Sequence, residues 1–152
     1  MKLHYEADAK MKKQMELLYN FMKAHKLAVI STVNGECLPE SAVIGFAVKE
    51  NLEILCSSFT TSRKYQNIQK NPRVALVIGW EDGKTVQYEG LAEEITDQGS
   101  EELLENQLSS VPSIAKYLER EHQAFYTIKP RWIRFSDLSV DPWDRFEVTF
   151  ES

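Results

Sequence analysis

The chain has 152 residues, a formal net charge of −5 and a pI near 5.3, which argues against nucleic acid or anionic membrane as a partner, since both reward a basic surface. That length sets the expectation of one domain over residues 1–152, burying roughly two-thirds of its unfolded surface without metals or disulfides. Met1 to Glu6 hold no apolar signal core and no apolar stretch nears the roughly 20 residues that span a bilayer, so a cytoplasmic protein is expected.

From Lys10 to Lys26, Met11, Met15, Leu18, Phe21 and Met22 recur at spacings of three and four, the stripe of an amphipathic packing helix. Leu27 to Val33 is short and β-branched. Asn34-Gly35 follows, the dipeptide that favours a two-residue hairpin turn, because both turn positions need positive φ. The returning strand starts near Pro39, where a missing N–H is tolerated, and runs to about Lys49. Glu50-Asn51 turns the chain into a third strand, Leu52 to Ser57. Cys37 and Cys56 sit in strand-like segments and read as buried reduced thiols.

A two-turn helix is expected from Ser62, ended by Asn71-Pro72, because the residue before proline avoids helical angles. Arg73 to Trp80 and Thr85 to Ile95 then flank the turn Glu81-Asp82-Gly83, extending an antiparallel meander. Between Gln98 and Glu121 two helical stretches, split near Val111-Pro112, read as scaffold. Trp132 to Phe135 and Arg145 to Phe150 finish the chain as strands. The fold class is mainly β with peripheral helices. Six or seven strands at hairpin spacing favour a closed or partly closed barrel, because closure removes sticky edges.

The chemistry concentrates between Leu55 and Val74. Leu55-Cys56 leads into Ser57-Ser58-Phe59-Thr60-Thr61-Ser62, and Arg63 and Lys64 open the helix that follows. Hydroxyls and free N–H groups at a helix start donate hydrogen bonds, the helix dipole favours an anion, and the two cations add charge and a guanidinium fork. These are the parts of a phosphate cradle, and a phosphorylated small molecule is the expected ligand. Two adjacent cations are otherwise ordinary on a solvated helix, and the hydroxyl run is what distinguishes these.

Ser62-Arg63-Lys64 through Asn71-Pro72-Arg73-Val74-Ala75-Leu76, the later strand with Gly90, and Trp143-Asp144-Arg145-Phe146 together resemble the pyridoxamine 5'-phosphate oxidase-like family of FMN-binding split barrels. The likeness covers Leu27 to Ile95 well and the last two strands more loosely, and it is similar to the short general stress protein group. It implies a six- to seven-stranded antiparallel split β-barrel holding FMN. Its phosphate would lie against Arg63 and Lys64, with Ser58 and, more weakly, Ser57 on the preceding strand. Val43 and Ile44 would offer backbone groups to the isoalloxazine ring. Thr85 stands where the oxidases have a glutamine, and Arg145 matches a position that reaches the cofactor. The resemblance also implies a homodimer with FMN at the subunit interface. Oxidases proper carry an Arg-x-His signature before Asp-Arg, and Val140-Asp141-Pro142-Trp143 occupies that stretch here.

His4, His25 and His122 are scattered and read as surface residues, so no metal site is expected. No Gly-x-Ser-x-Gly elbow or Cys and His pairing is present, and Glu93-Glu94 and Glu101-Glu102 read as solvated faces. Arg73 reads as a salt-bridge or edge-strand residue, and Trp80, Trp132 and Trp143 as core or interface. The leading expectation is an FMN flavoprotein passing a hydride between a small-molecule donor and the flavin, with oxygen or another small acceptor and no nameable catalytic side chain. Alternatives are a non-catalytic flavin- or haem-binding stress module, and a cofactor-free dimeric interaction protein.

Overall fold

The computed structural model describes residues 2–95, 97–109 and 122–151. The second helical stretch expected before Glu121 and the side chain of His4 lie outside what is described. In chain order the elements are α1 (Lys2–Lys23), β1 (Leu27–Val33), β2 (Pro39–Val48), β3 (Ile54–Phe59), α2 (Arg63–Lys70), β4 (Arg73–Ile78), β5 (Lys84–Glu94), α3 (Gln98–Leu108), β6 (Gln123–Asp137) and β7 (Asp144–Thr149).

The strands form one antiparallel sheet in the order β3-β2-β1-β4-β5-β6-β7, and β3 pairs back onto β6. Six strands therefore close a barrel and β7 is the extra one, so the expected mainly β barrel is what forms. Closure depends on the 15-residue β6. Its first half, Gln123 to Ile128, pairs with β3, and its last six residues, Trp132 to Asp137, pair with β7 along the same edge. Sequence reading placed only Trp132 to Phe135 in this strand. Pro130 lies within this strand, paired with Gly90 beside a bulge, where a proline is tolerated.

Alternation fills the barrel. β4 alternates exposed and buried at every residue, sending Val74, Leu76 and Ile78 inward to meet Ile30, Phe46, Ile54, Val86, Ile128 and Ile133. Each such side chain contributes about 1.5–3 kcal/mol on burial. Tyr88 carries a hydroxyl into this core, within 2.8 Å of Leu52 O and 2.9 Å of Ile128 O. Leu18 and Met22 of α1 are fully buried in the same core, and Phe21 meets Phe135 edge-on at 5.5 Å. A second cluster sets Leu104 and Leu108 of α3 against Ala47 and Leu55.

Four local expectations are corrected. The β1–β2 connection is a five-residue loop, since Val33 pairs with Pro39. Asn34 Oδ1 accepts from Glu36 N and Leu38 N, and the left-handed residue is Cys37 at φ 63° instead of Gly35. Cys37 is consequently exposed, and only Cys56 is the buried free thiol. α1 begins at Lys2, ahead of the apolar stripe, because residues with adequate helical propensity extend a helix without packing. Of the core-or-interface reading of the tryptophans, the core half does not hold, since Trp80 and Trp143 are exposed in the single chain and Trp132 is half-buried.

Candidate functional site

The cationic corner forms where β3 gives way to α2. Ser62 takes an extended conformation (φ −80°, ψ 155°) and caps the helix, its Oγ accepting from Tyr65 N at 3.1 Å. Ser58 Oγ lies 2.7 Å from Ser62 Oγ, and Ser58 is buried. Ser58 Oγ also donates to Phe59 O at 3.4 Å, which leaves it to accept from Ser62. Ser57, one residue earlier, faces the other side of the strand and takes no part in this hydrogen bond.

A pocket of about 190 Å³ opens beside this cap, lined by Thr32, Glu40, Ser41, Ser62, Arg63 and Lys64. Its two cations behave differently. Arg63 is exposed and pairs with Glu40, Nη1 to Oε2 at 2.7 Å. Lys64 forms no salt bridge among the described residues, and burial lowers the pKa of its ammonium from the ordinary lysine value, an effect partly offset by Cys56. Burial also pushes the Cys56 thiol up to about 12, with Lys64 opposing the rise. A half-buried ammonium without a carboxylate is stabilised by an incoming anion. With Glu40 counted, the corner carries one net positive charge, suited to holding a single anionic group.

The pocket continues along a strand edge. β2 pairs with β1 over Pro39 to Gly45, whereas β3 takes up the opposite edge only at Phe46, Ala47 and Val48. Among the described residues, roughly 20 Å of β2 therefore has one edge without a strand partner, starting at Glu40 beside the cations. Unpaired backbone N–H and C=O groups there can hydrogen-bond a planar polar ligand. Val43 is 63% exposed, while Ile44 points into the core at 5%, so Ile44 can offer main-chain groups alone. The donor set fits a phosphate at one end and a heteroaromatic ring along the edge, which is the chemistry FMN requires.

Thr85 and Arg145 lie elsewhere. Thr85 pairs with Ser136, and Ser136 with Arg145, setting both across three neighbouring strands. The Arg145 guanidinium carbon stands 5.1 Å from the ring centroid of Trp143, and both residues are exposed. In one chain the structure brings together Ser58, Arg63 and Lys64, with Val43 on the adjoining edge, and leaves Thr85 and Arg145 as a separate group. Sequence reasoning passed over Glu40, Thr32 and Asn67. Asn67 Nδ2 lies 2.9 Å from Thr32 Oγ1 and 2.7 Å from Glu40 Oε1, and the amide is buried. A signal was present in its spacing, three residues after Lys64 and next to the buried Ile68, on the inward face of α2.

Arg73 forms no salt bridge among the described residues and lines, with Arg131, a larger cavity of about 520 Å³ on the outer face of β1, β4 and β5. Among the described residues no cluster of three His, Cys, Asp or Glu is arranged to hold a metal, and no helix is long and apolar enough to cross a membrane.

Comparison with known proteins agrees with this fold. The family model described as pyridoxamine 5'-phosphate oxidase matches residues 14–137. No curated protein matches the chain. General stress protein 26 from Bacillus anthracis is similar in structure, with a TM-score of 0.66 at 23% identity, covering 88% of this chain and 98% of that one. A Clostridium acetobutylicum protein related to general stress protein 26, of the pyridoxinephosphate oxidase family, has a TM-score of 0.68 at 13% identity, covering 90% and 94%. A heme binding protein from Mycobacterium smegmatis has a TM-score of 0.69 at 13% identity, covering 85% of this chain and 55% of that one. At these identities the likeness establishes the fold.

Proposed function

This chain belongs to the pyridoxamine 5'-phosphate oxidase family, and from that premise we propose that it is a cytoplasmic, homodimeric FMN flavoprotein that oxidises or reduces a small molecule. The observation that carries the reading is the half-buried Lys64 ammonium, without a carboxylate of its own, beside Arg63 and the Ser62 hydroxyl at the end of an unpaired strand edge. Lys64 and Arg63 neutralise the phosphate beside the Ser62 cap. Main-chain groups of β2 around Val43 and Ile44 orient the ring. When bound, the flavin supplies the two-electron chemistry, exchanging a hydride with a small donor and passing electrons to oxygen or another small acceptor.

The placement of Thr85 and Arg145 supports the homodimer. Both belong to the site by resemblance, yet they sit apart from Lys64 in the same chain, so a second copy would supply them. An apolar row favours such contact: Val43, Val29 and Val77 are cross-strand neighbours facing outward, and Val43 and Val77 are exposed. Arg145 would then add positive charge near the ring, and Trp143 beside it would shield that side from water.

The absorption spectrum of the purified protein tests the reading. A two-banded flavin spectrum, with FMN released on denaturation and bleached by NADH or NADPH, is expected. An intense Soret band would replace it with the haem-binding reading that the Mycobacterium smegmatis neighbour suggests. Colourless protein that ignores added FMN would overturn both.

A further inference from the structure

Arg63 meets the phosphate pocket already engaged by an anion. Glu40 Oε2 stands 2.7 Å from Arg63 Nη1, and Glu40 Oε1 accepts from Asn67 Nδ2, also at 2.7 Å. Asn67 in turn reaches Thr32 Oγ1 at 2.9 Å. Asn67 and Thr32 are 6% and 2% exposed, so the carboxylate is anchored from beneath. The Arg63 side chain is 75% exposed and that of Glu40 17%. One partner is free to pivot and the other is held.

We propose that Glu40 is a built-in competitor for the ligand's phosphate, a positioning residue that occupies Arg63 until a phosphate takes the guanidinium over, and so sets how tightly the corner binds. The proposal rests on the phosphate reading above and adds a control on that same site. A phosphate monoester carries about −1.5 to −2 charge near neutral pH, more than the single charge of a carboxylate, so it wins the guanidinium when present. The exposed Arg63–Glu40 pair is itself weak and does not block the exchange.

What distinguishes Glu40 from an ordinary surface acid is that Asn67 keeps its charge at the pocket wall after Arg63 has left. Two like charges a few ångströms apart at a protein surface repel by an amount equivalent to about a tenfold change in affinity. Glu40 and Lys64 line the same pocket, so this repulsion acts on whatever anion Lys64 holds.

Glu40→Gln keeps an oxygen to accept from Asn67 and removes the charge. Flavin-fluorescence titrations should show FMN binding about tenfold tighter in this variant than in the wild-type protein, with riboflavin, which has the ring without the phosphate, unchanged. Unchanged or weaker FMN binding, or an equal gain for both flavins, overturns the role of Glu40. Crystals of the wild-type protein soaked in FMN give a test that needs no variant. Arg63 should have turned from Glu40 to the phosphate, and a bound phosphate with the 2.7 Å pair intact overturns the exchange. Failure of the underlying reading looks different: Arg63→Ala with Lys64→Ala would then bind FMN as the wild-type protein does.

Discussion

Ser58 Oγ and Ser62 Oγ lie 2.7 Å apart, tying the end of the barrel strand β3 to the cap of α2. Replacing Ser62 with Ala removes both this link and the acceptor for Tyr65 N. A loss of about 1 kcal/mol in unfolding free energy is expected from the missing cap, read from urea denaturation. An unchanged midpoint would mean that the cap contributes nothing to the helix that carries the cations.

Arg63→Ala combined with Lys64→Ala should weaken FMN binding by several kcal/mol, since hydrogen bonds to charged groups contribute about 1.5–3 kcal/mol each. Most of the loss belongs to Lys64, which has no salt bridge among the described residues to fall back on. Isothermal titration of each single variant separates the two. Equal affinity in all three variants and the wild-type protein would remove the phosphate site.

Gly90→Ala should destabilise the fold by about 1–3 kcal/mol, the range for overpacking a tight site. A Cβ at Gly90 would stand 2.6 Å from Lys129 O and 2.8 Å from Ile128 Cγ2, at the bulge where β5 meets β6. A backbone carbonyl cannot rotate aside as a side chain can. Thermal melting checks this, and a transition within a degree of the wild type would contradict it.

Stability should fall as pH rises from about 9 to about 12. Burial raises the Cys56 thiol from 9.0 to about 12, so the unfolded chain loses this proton first and the folded state alone is held protonated. That contribution is complete below the unfolded value and disappears through the folded one, at most about 1.4 kcal/mol per pH unit. Cys56→Val should flatten the decline between pH 8.5 and 10 by about that slope, in urea titrations at a series of pH values. In the wild-type protein, Cys37 should alkylate readily at neutral pH and Cys56 should not, because only Cys37 is exposed.

Residues near one another in the chain determined most of what the sequence disclosed. The strand that opens at Arg73, the helix start at Ser62 and the stop at Asn71-Pro72 each follow from local torsions and hydrogen bonds, and all appear in the fold. The cations and hydroxyls of the corner were legible for the same reason, since Ser58, Ser62, Arg63 and Lys64 span one strand end and one helix turn. Even local rules yielded once, at Asn34-Gly35, where the Asn34 side chain captured two backbone N–H groups and moved the left-handed residue to Cys37.

Tertiary structure decided the rest, because it depends on strand register between distant segments. Pairing of Ile54 to Phe59 with Gln123 to Ile128 closes the barrel, and its short overlap with β2 leaves the edge along Val43 unpaired. Asn67 meets Glu40 and Thr32 across 27 and 35 residues, which puts an acid among the cations. Register also carries Thr85 and Arg145 away from Lys64 on the same chain. No local pattern encodes such meetings, since a shift of one residue in any strand pairing would send every side chain concerned to the opposite face.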